Sequence, residues 1–257
     1  MKPDNKTVYE SSELARRYSR EEKLQLPEAS ILTAIRTHLT GARMLDVGVG
    51  GGRTTPHFAP LVGSYVGIDY SEQMIAVCRE RFTEIPNRLT FQVADVRFLS
   101  SFSDQSFDFV LFSYNGLDYI PHESRADALL EIRRVLKTGG YFALSTHNLN
   151  SLLQRLRPKL ILKPRALASK LLWTYRFLRH NRALYGIGKA GYCEVFDGAL
   201  GYSLRTHYTT PEFTVHELTQ SGFREIRIFT LATGEQIVQP EELGANKEDW
   251  LYYLAVA

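Results

Sequence analysis

The segment Leu45-Asp-Val-Gly-Val-Gly-Gly-Gly-Arg-Thr-Thr constrains this chain more than any other feature. It follows a short apolar run, Ala42–Val47, and precedes a stretch, Arg53–Val62, that reads as a helix. Glycines at Gly48 and Gly50 let the chain turn sharply as it leaves a strand, and they let a ligand come close to the backbone. The amide groups of the following helix N-terminus lie just beyond. A strand that passes directly into a helix through such a turn belongs to an α/β sheet built from parallel strands.

The rest of the chain repeats that alternation. Before the turn, Ser11 or Ser12 can cap a helix through Leu14 and Tyr18. A second helix follows Pro27, carries Ile31, Leu32, Ile35 and Leu39 at helical spacing, and stops at Gly41. After the turn, Ser64–Asp69 reads as a second strand, and Ser71 caps a helix bearing Met74, Ile75, Val77 and Cys78. Leu89–Ala94, Phe107–Phe112 and Tyr141–Thr146 read as the third, fourth and fifth strands. A helix over Arg125–Leu136 precedes the last of these and is closed by Lys137-Thr-Gly-Gly. Farther on, Arg165–Tyr185 reads as a helix and Gly186–Gly201 as a loop. Thr210 caps a helix through Leu218, and Phe223–Leu231 and Leu251–Val256 alternate as strands. This order predicts an α/β fold with a doubly wound sheet and right-handed crossovers. A chain of 257 residues, 44% hydrophobic, is long enough to bury the core of such a domain.

Three carboxylates sharpen the reading of the glycine turn. Asp46 precedes Gly48, at a place that is usually apolar in a dinucleotide-binding turn. Asp69 ends the second strand, where a carboxylate can accept both hydroxyls of a ribose. Asp95, in Val93-Ala-Asp-Val, ends the third strand and could accept the amino hydrogens of an adenine. The set suits a ligand with ribose, adenine and a charged tail but no phosphate.

With these residues the chain resembles the class I S-adenosylmethionine-dependent methyltransferase family. The resemblance rests on LDVGVGGGRTT, VGIDYSEQMI, VADVRFL, SFDFVLFSYNGLDYI and EIRRVLKTGGYFALSTHN, which span Leu45 to Asn148 and stand in the family's order, and it resumes at Tyr208-Thr-Thr-Pro-Glu-Phe. It implies a Rossmann-like sheet of seven strands in the order 3-2-1-4-5-7-6, the last antiparallel. It also implies S-adenosylmethionine as cofactor and S-adenosylhomocysteine as its product. On the same ground the Asp46–Gly50 turn would hold the methionyl part, Asp69 the ribose hydroxyls, and Tyr70 and Met74 the faces of the adenine. Asp95 and the Val96 amide would read the adenine edge, Ser113, Tyr114 and Asn115 would lie beside the sulfonium and substrate, and Tyr18 of the N-terminal helix could close the site. The expected layout is one methyltransferase domain over 1–257, with a helical cap at 1–40 and a cofactor-binding core at 41–149. A basic insert follows at 150–207, and 208–257 completes the sheet.

Methyl transfer from a sulfonium asks mainly for in-line positioning. A general base is required when the acceptor arrives protonated, and His147 after strand five, His122 after strand four and His207-Tyr208 after the insert are the candidates. Oxygen and nitrogen acceptors, small molecules or glycan-like, both stay open, as does the oligomeric state. Cys78 and Cys193 stand far apart, so neither a disulfide framework nor a metal site is expected.

The insert departs from the family pattern. Ten of the 31 Lys/Arg lie between Ser151 and Ala190, where there is no Asp or Glu, which leaves 21 bases against 28 acids elsewhere. Four readings suit it: a solvated helix packed by its leucines, a lid over an acidic or phosphate-bearing substrate, a peripheral membrane contact, or a nucleic-acid contact, and the acceptor itself is open to being acidic or lipid-linked. The start of the chain shows no apolar leader and no apolar run of spanning length, so a cytoplasmic enzyme is expected. An RNA methyltransferase fits less well, because Ser113-Tyr-Asn-Gly stands where an Asp/Asn-Pro-Pro-Tyr element would be. Asp46 and Asp95 argue against a nicotinamide dehydrogenase, and a non-catalytic cofactor-binding protein is the remaining alternative.

Overall fold

A computed structural model describes residues 4–83, 88–157, 163–181 and 188–257. Three helices lead: α1 (Asn5–Tyr9), α2 (Ser12–Tyr18) and α3 (Leu26–Leu39). Ser11 caps α2 by accepting from the Leu14 amide. The core then alternates through β1 (Arg43–Val47), α4 (Thr55–Phe58), β2 (Ser64–Asp69), α5 (Glu72–Arg81), β3 (Leu89–Val93) and β4 (Phe107–Phe112). Next come α6 (His122–Val135), β5 (Leu136–Asn148), α7 (Leu149–Leu156) and α8 (Pro164–His180), followed by β6 (Tyr192–Val195) and β7 (Thr206–Thr209). The chain closes with α9 (Pro211–Gln220), β8 (Arg224–Thr230), β9 (Gln236–Ile237), α10 (Pro240–Ala245) and β10 (Trp250–Val256).

The sheet runs β3-β2-β1-β4-β5-β10-β8-β9. Its first five strands are parallel, and β10 is antiparallel to both β5 and β8. With β8 and β10 as the sixth and seventh strands, this is the expected 3-2-1-4-5-7-6 order. Three strands are added, so the sheet has ten among the described residues. β9 extends the edge, while β6 and β7 form an antiparallel pair whose β7 continues beside the end of β5. Part of the segment expected as a loop over 186–201 is therefore strand β6. The expected helix over Arg165–Tyr185 is α8, and the residues beyond 181 in that expectation fall outside the described residues.

Two cores sit on opposite faces of the sheet, as the period of two in a strand requires. Leu45, Val47, Leu251 and Tyr253 join one with Leu129 and Ile132 of α6 and Leu218 of α9. Met44, Tyr252 and Leu254 join the other with Ile31 and Ile35 of α3 and Ile75 of α5. Smaller clusters fasten the additions. Leu14, Ala15 and Met74 join the N-terminal cap to α5, and Leu149, Leu152, Phe177, Cys193 and Val195 hold α7, α8 and β6 together.

Two local expectations change for stated reasons. The helix read over Arg53–Val62 shrinks to α4 and a 3-10 turn, Ala59–Leu61, because Pro60 has no N–H to continue it. Lys137-Thr-Gly-Gly is not a connection outside the sheet. Leu136 already pairs with Phe107, and the four residues bulge before Tyr141 pairs with Phe109.

Candidate active site

The carboxyl ends of β1 to β5 border one cavity of ≈ 570 Å³, a size typical of a ligand site. Tyr18, Asp46, Gly48, Gly50, Asp69, Tyr70, Met74, Asp95, Val96, Ser113, Tyr114, Asn115 and His147 all line it. His122 does not. Its ring stacks on Tyr192 at 3.8 Å between centroids, and its Nδ1 lies 3.1 Å from His207 Nε2.

Gly48 takes φ +62°, and a Cβ there would stand 3.1 Å from the Phe112 ring. A Cβ on Gly51 would lie 2.4 Å from the Ser19 amide nitrogen, so the end of α2 rests directly on the turn. That contact brings Tyr18 over the cavity. Tyr9 meets Tyr18, Tyr70 and Tyr119 edge-on, with centroids 5.7 to 6.2 Å apart, and completes an aromatic cluster beneath the cap.

Asp46 Oδ2 accepts from Thr54 Oγ1 and from the Tyr65 hydroxyl, both at 2.5 Å. Burial pushes its pKa up to about 6, against the lowering effect of those bonds. Asp69 accepts from the Gly50 amide at 3.0 Å and the Ser71 amide at 2.9 Å, so one carboxylate ties the glycine turn to the start of α5. Burial again outweighs the hydrogen bonds and raises its pKa to about 6. Asp95 differs, since Arg97 grips both its oxygens at 2.6 to 3.1 Å. Burial acts upward there, but the Arg97 bonds prevail and hold the carboxyl below its ordinary value.

A pH dependence follows from Asp46. Its folded-state pKa lies above the ordinary ~3.9, so folding favours the protonated form. The resulting stabilisation is complete below about pH 4 and is lost as the pH rises through about 6. Asp46→Asn keeps an oxygen for Thr54 and Tyr65 but does not titrate. Urea midpoints between about pH 4 and 7 should fall less steeply in that variant, by a share on the order of 2 kcal/mol. Equal slopes in variant and parent would mean that Asp46 titrates as an ordinary carboxylate.

At the end of β4 the backbone is strained. Tyr114 and Asn115 have φ of +56° and +62°, conformations uncommon outside glycine and typical of functional turns. The Asn115 amide is fixed by Ser145 Oγ at 2.8 Å, and its buried Oδ1 has no hydrogen-bond partner among the described residues. Beside it, Ser113 donates to Glu28, whose carboxylate also grips Arg53 at 2.5 and 2.6 Å. Ser113 is thereby held by the fold, through a Glu28–Arg53 pair that no local pattern signals.

His147, the last residue but one of β5, is the most ordered of the candidate bases. Asp118 Oδ2 accepts from its backbone amide at 2.6 Å and lies 2.8 Å from its Nδ1. A carboxylate only accepts, so Nδ1 carries the proton and Nε2 keeps its lone pair. Nε2 lies 3.4 Å from Asn115 Nδ2. Asp118 is in turn held by Arg125 at 3.0 Å, and Arg125 by both oxygens of Glu217 at 3.0 Å. The result is a buried file of charges, Glu217–Arg125–Asp118, that aims one imidazole along the cavity wall. Asp118 lies within the quoted Asn-Gly-Leu-Asp-Tyr-Ile run and was missed as a site residue, since its partners Arg125 and His147 lie 7 and 29 residues away in the chain.

The donor set fits the expected cofactor. Asp69 and Asp95 supply acceptors for hydroxyl and amino hydrogens, and Met74 and Val96 are apolar wall. The buried hydroxyl of Tyr70, like Asn115 Oδ1, has no partner among the described residues. The carboxylates of Asp46 and Asp69 at the turn would repel the pyrophosphate of a dinucleotide.

A family profile described as a methyltransferase domain matches residues 44–140. Among curated proteins, the chain is similar to a ubiquinone biosynthesis O-methyltransferase of Xanthomonas oryzae pv. oryzae, at 32% identity over 114 residues, covering 44% of this chain and 46% of that one. A protein of the same description from Nitrosococcus oceani is 33% identical over 119 residues, covering 46% and 49%. The chain thus spans about half the length of the curated relatives it matches. Among solved structures, an S-adenosylmethionine-dependent methyltransferase from Mesorhizobium loti superposes with a TM-score of 0.60 at 21% identity, covering 90% of this chain and 100% of that one. Another, from Methanosarcina mazei, gives 0.59 at 24% identity, covering 87% and 96%. These likenesses bear on the fold, while the profile match covers the glycine turn, Asp69, Asp95 and the end of β4. Residues 44–140 thus match a methyltransferase domain, and the fold is similar to that of the solved S-adenosylmethionine-dependent methyltransferases.

Proposed function

We propose that this protein transfers a methyl group from S-adenosylmethionine to a hydroxyl oxygen of a small acceptor with an apolar or aromatic body, and that His147 takes the hydroxyl proton. The observation that carries the reading is the His147–Asp118 pair in the wall of the cavity that also contains the glycine turn. A hydroxyl is a weak nucleophile while it keeps its proton, so a positioned base favours oxygen as the acceptor atom. Tyr9, Tyr18, Tyr119, Phe196 and Trp250 give the same cavity flat apolar walls suited to a ring. The name O-methyltransferase borne by the curated relatives points to the same atom.

What the bound cofactor supplies is a methyl carbon already activated by its sulfonium. The Asp46–Gly50 turn would hold the methionyl part, Asp69 the ribose hydroxyls, Tyr70 and Met74 the adenine faces, and Asp95 with the Val96 amide its edge. Tyr18 and the end of α2 cover the turn and exclude water. At the other wall, Asn115 and Tyr114 orient the acceptor. The hydroxyl proton passes to His147 Nε2, and Asp118 stabilises the imidazolium that forms.

The test has two arms. Calorimetric titration with S-adenosylhomocysteine, with NAD run in parallel, should show binding of the first alone. Asp69→Ala should weaken that binding by about 1–3 kcal/mol, the scale of lost charge-assisted hydrogen bonds. Unchanged affinity would remove Asp69 from the ribose role, and binding of NAD alone would overturn the cofactor reading. Mass spectrometry of phenols, catechols and matched amines incubated with S-adenosylmethionine should then show methylation at oxygen. Methylation of the amines alone would overturn the acceptor reading.

A further inference from the structure

Half of the ten exposed large hydrophobic side chains among the described residues lie on one helix, α8. Leu167, Leu171, Tyr175 and Leu178 recur at i, i+4, i+8 and i+11, and with Leu172 they form a stripe that is 39% to 61% solvent-exposed. The stripe is not the face that joins the helix to the protein. That face carries Phe177, fully buried against the α7 and β6 cluster, with Trp173 stacked on it at 5.2 Å. α8 is therefore amphipathic twice over, with one apolar side turned inward and one outward.

Cations border the outward stripe. Arg165, Arg176 and Arg179 are exposed and fall on one flank by helical spacing, while Lys170 falls on the other and Lys163 stands at the N-cap of the helix. No Asp or Glu stands between Ser151 and Ala190 to oppose them. A solvated helix at a protein surface interleaves charges of both signs on its outer face. Here the outer face is leucine and tyrosine edged by bases alone. Such an edge lets the arginine stems lie along apolar surface while their heads meet anions. No helix among the described residues is long and apolar enough to cross a membrane, so a helix of this kind lies in the interface rather than through it.

We propose that α8 docks this protein onto an anionic lipid surface, with Leu167, Leu171, Tyr175 and Leu178 among the acyl chains and Arg165, Arg176 and Arg179 at the headgroups. The charge complementarity selects this occupant. A second copy of the same helix would bring like charges together, and a nucleic acid would leave the leucine stripe uncovered. The inference does not depend on which acceptor is methylated. It does set the cavity close to the membrane. Asn181, at the end of α8, exchanges two hydrogen bonds of 2.8 and 2.9 Å with the backbone of Phe196, and Phe196 lines the cavity.

Co-sedimentation with vesicles tests it. The protein should sediment with vesicles of equal parts phosphatidylglycerol and phosphatidylcholine, should remain in solution with pure phosphatidylcholine, and should detach progressively as salt is raised. Leu171→Asp/Leu178→Asp changes only exposed positions, so the fold and S-adenosylhomocysteine binding should be retained while the vesicle partition coefficient drops at least about tenfold. Failure of the parent protein to bind the anionic vesicles overturns the proposal, as does equal binding by the double variant. So does a parent dimer in analytical ultracentrifugation that the double variant converts to monomer, since a second copy would then own the stripe.

Discussion

Replacing His147 with alanine is expected to lower kcat for transfer to a hydroxyl acceptor by about 10²- to 10⁴-fold, while affinity for S-adenosylhomocysteine changes by no more than about twofold. The split follows from where the residue sits. The groups assigned to the cofactor end β1, β2 and β3, whereas His147 ends β5, next to the strained Tyr114-Asn115 turn. Loss of the imidazole removes the proton acceptor and leaves the glycine turn, Asp69 and Met74 as they were. Asp118→Asn should act nearly as strongly by a different route. Its single oxygen satisfies the Arg125 guanidinium best, which turns the amide NH₂ toward His147 Nδ1 and forces the proton onto Nε2. The imidazole would remain in place with its lone pair facing the wrong way. A kcat within tenfold of the parent for both variants, measured on folded protein at saturating cofactor, would sink the assignment of His147 as base.

How much of this was legible in the sequence depends on how local each signal is. The Leu45–Gly50 turn and the carboxylates at Asp69 and Asp95 could be read because each rests on residues adjacent in the chain, and plain alternation predicted the doubly wound sheet, while the order 3-2-1-4-5-7-6 was implied by the family resemblance. Of the thirteen cofactor and base candidates that line the cavity, all but Tyr18 of α2 and Met74 of α5 lie at or just beyond the ends of strands β1 to β5. What escaped reading depends on partners far away. β6 looks like part of a glycine-rich loop until Thr206–Thr209 lies beside it, and β7 has its place only because β5 runs on to Asn148. His122 stands beside His147 as a candidate base in the sequence, since both follow strands. Only the packing of Tyr192 and His207 against the first, and of Asp118 against the second, separates them. The outward leucine stripe of α8 was visible as periodicity, but periodicity alone does not tell which of two apolar sides is covered.

Arg125→Met is expected to destabilise the fold by about 3–5 kcal/mol, read as a lower urea midpoint. Arg125 is 1% exposed, and its guanidinium is, among the described residues, the sole cation between Asp118 and Glu217, both of which it binds at 3.0 Å. Methionine fills much of the same volume, so the cost comes from two carboxylates left facing each other with no counter-charge rather than from a cavity. Neutralising one of them tests that cause. Adding Glu217→Gln to Arg125→Met should restore part of the lost stability, whereas Glu217→Gln alone in the parent should cost stability because Arg125 loses a partner. Opposite signs for one substitution in two backgrounds are the signature of direct coupling. A cost below about 1 kcal/mol for Arg125→Met, or the same effect of Glu217→Gln in both backgrounds, would refute the file of charges as a structural unit. The file also reaches the chemistry. Asp118 is oriented by Arg125 on one oxygen and orients His147 with the other, so folded Arg125→Met/Glu217→Gln should lose kcat well beyond any change in KM. On the role proposed for His147, stability and catalysis are thus coupled through a single carboxylate, Asp118.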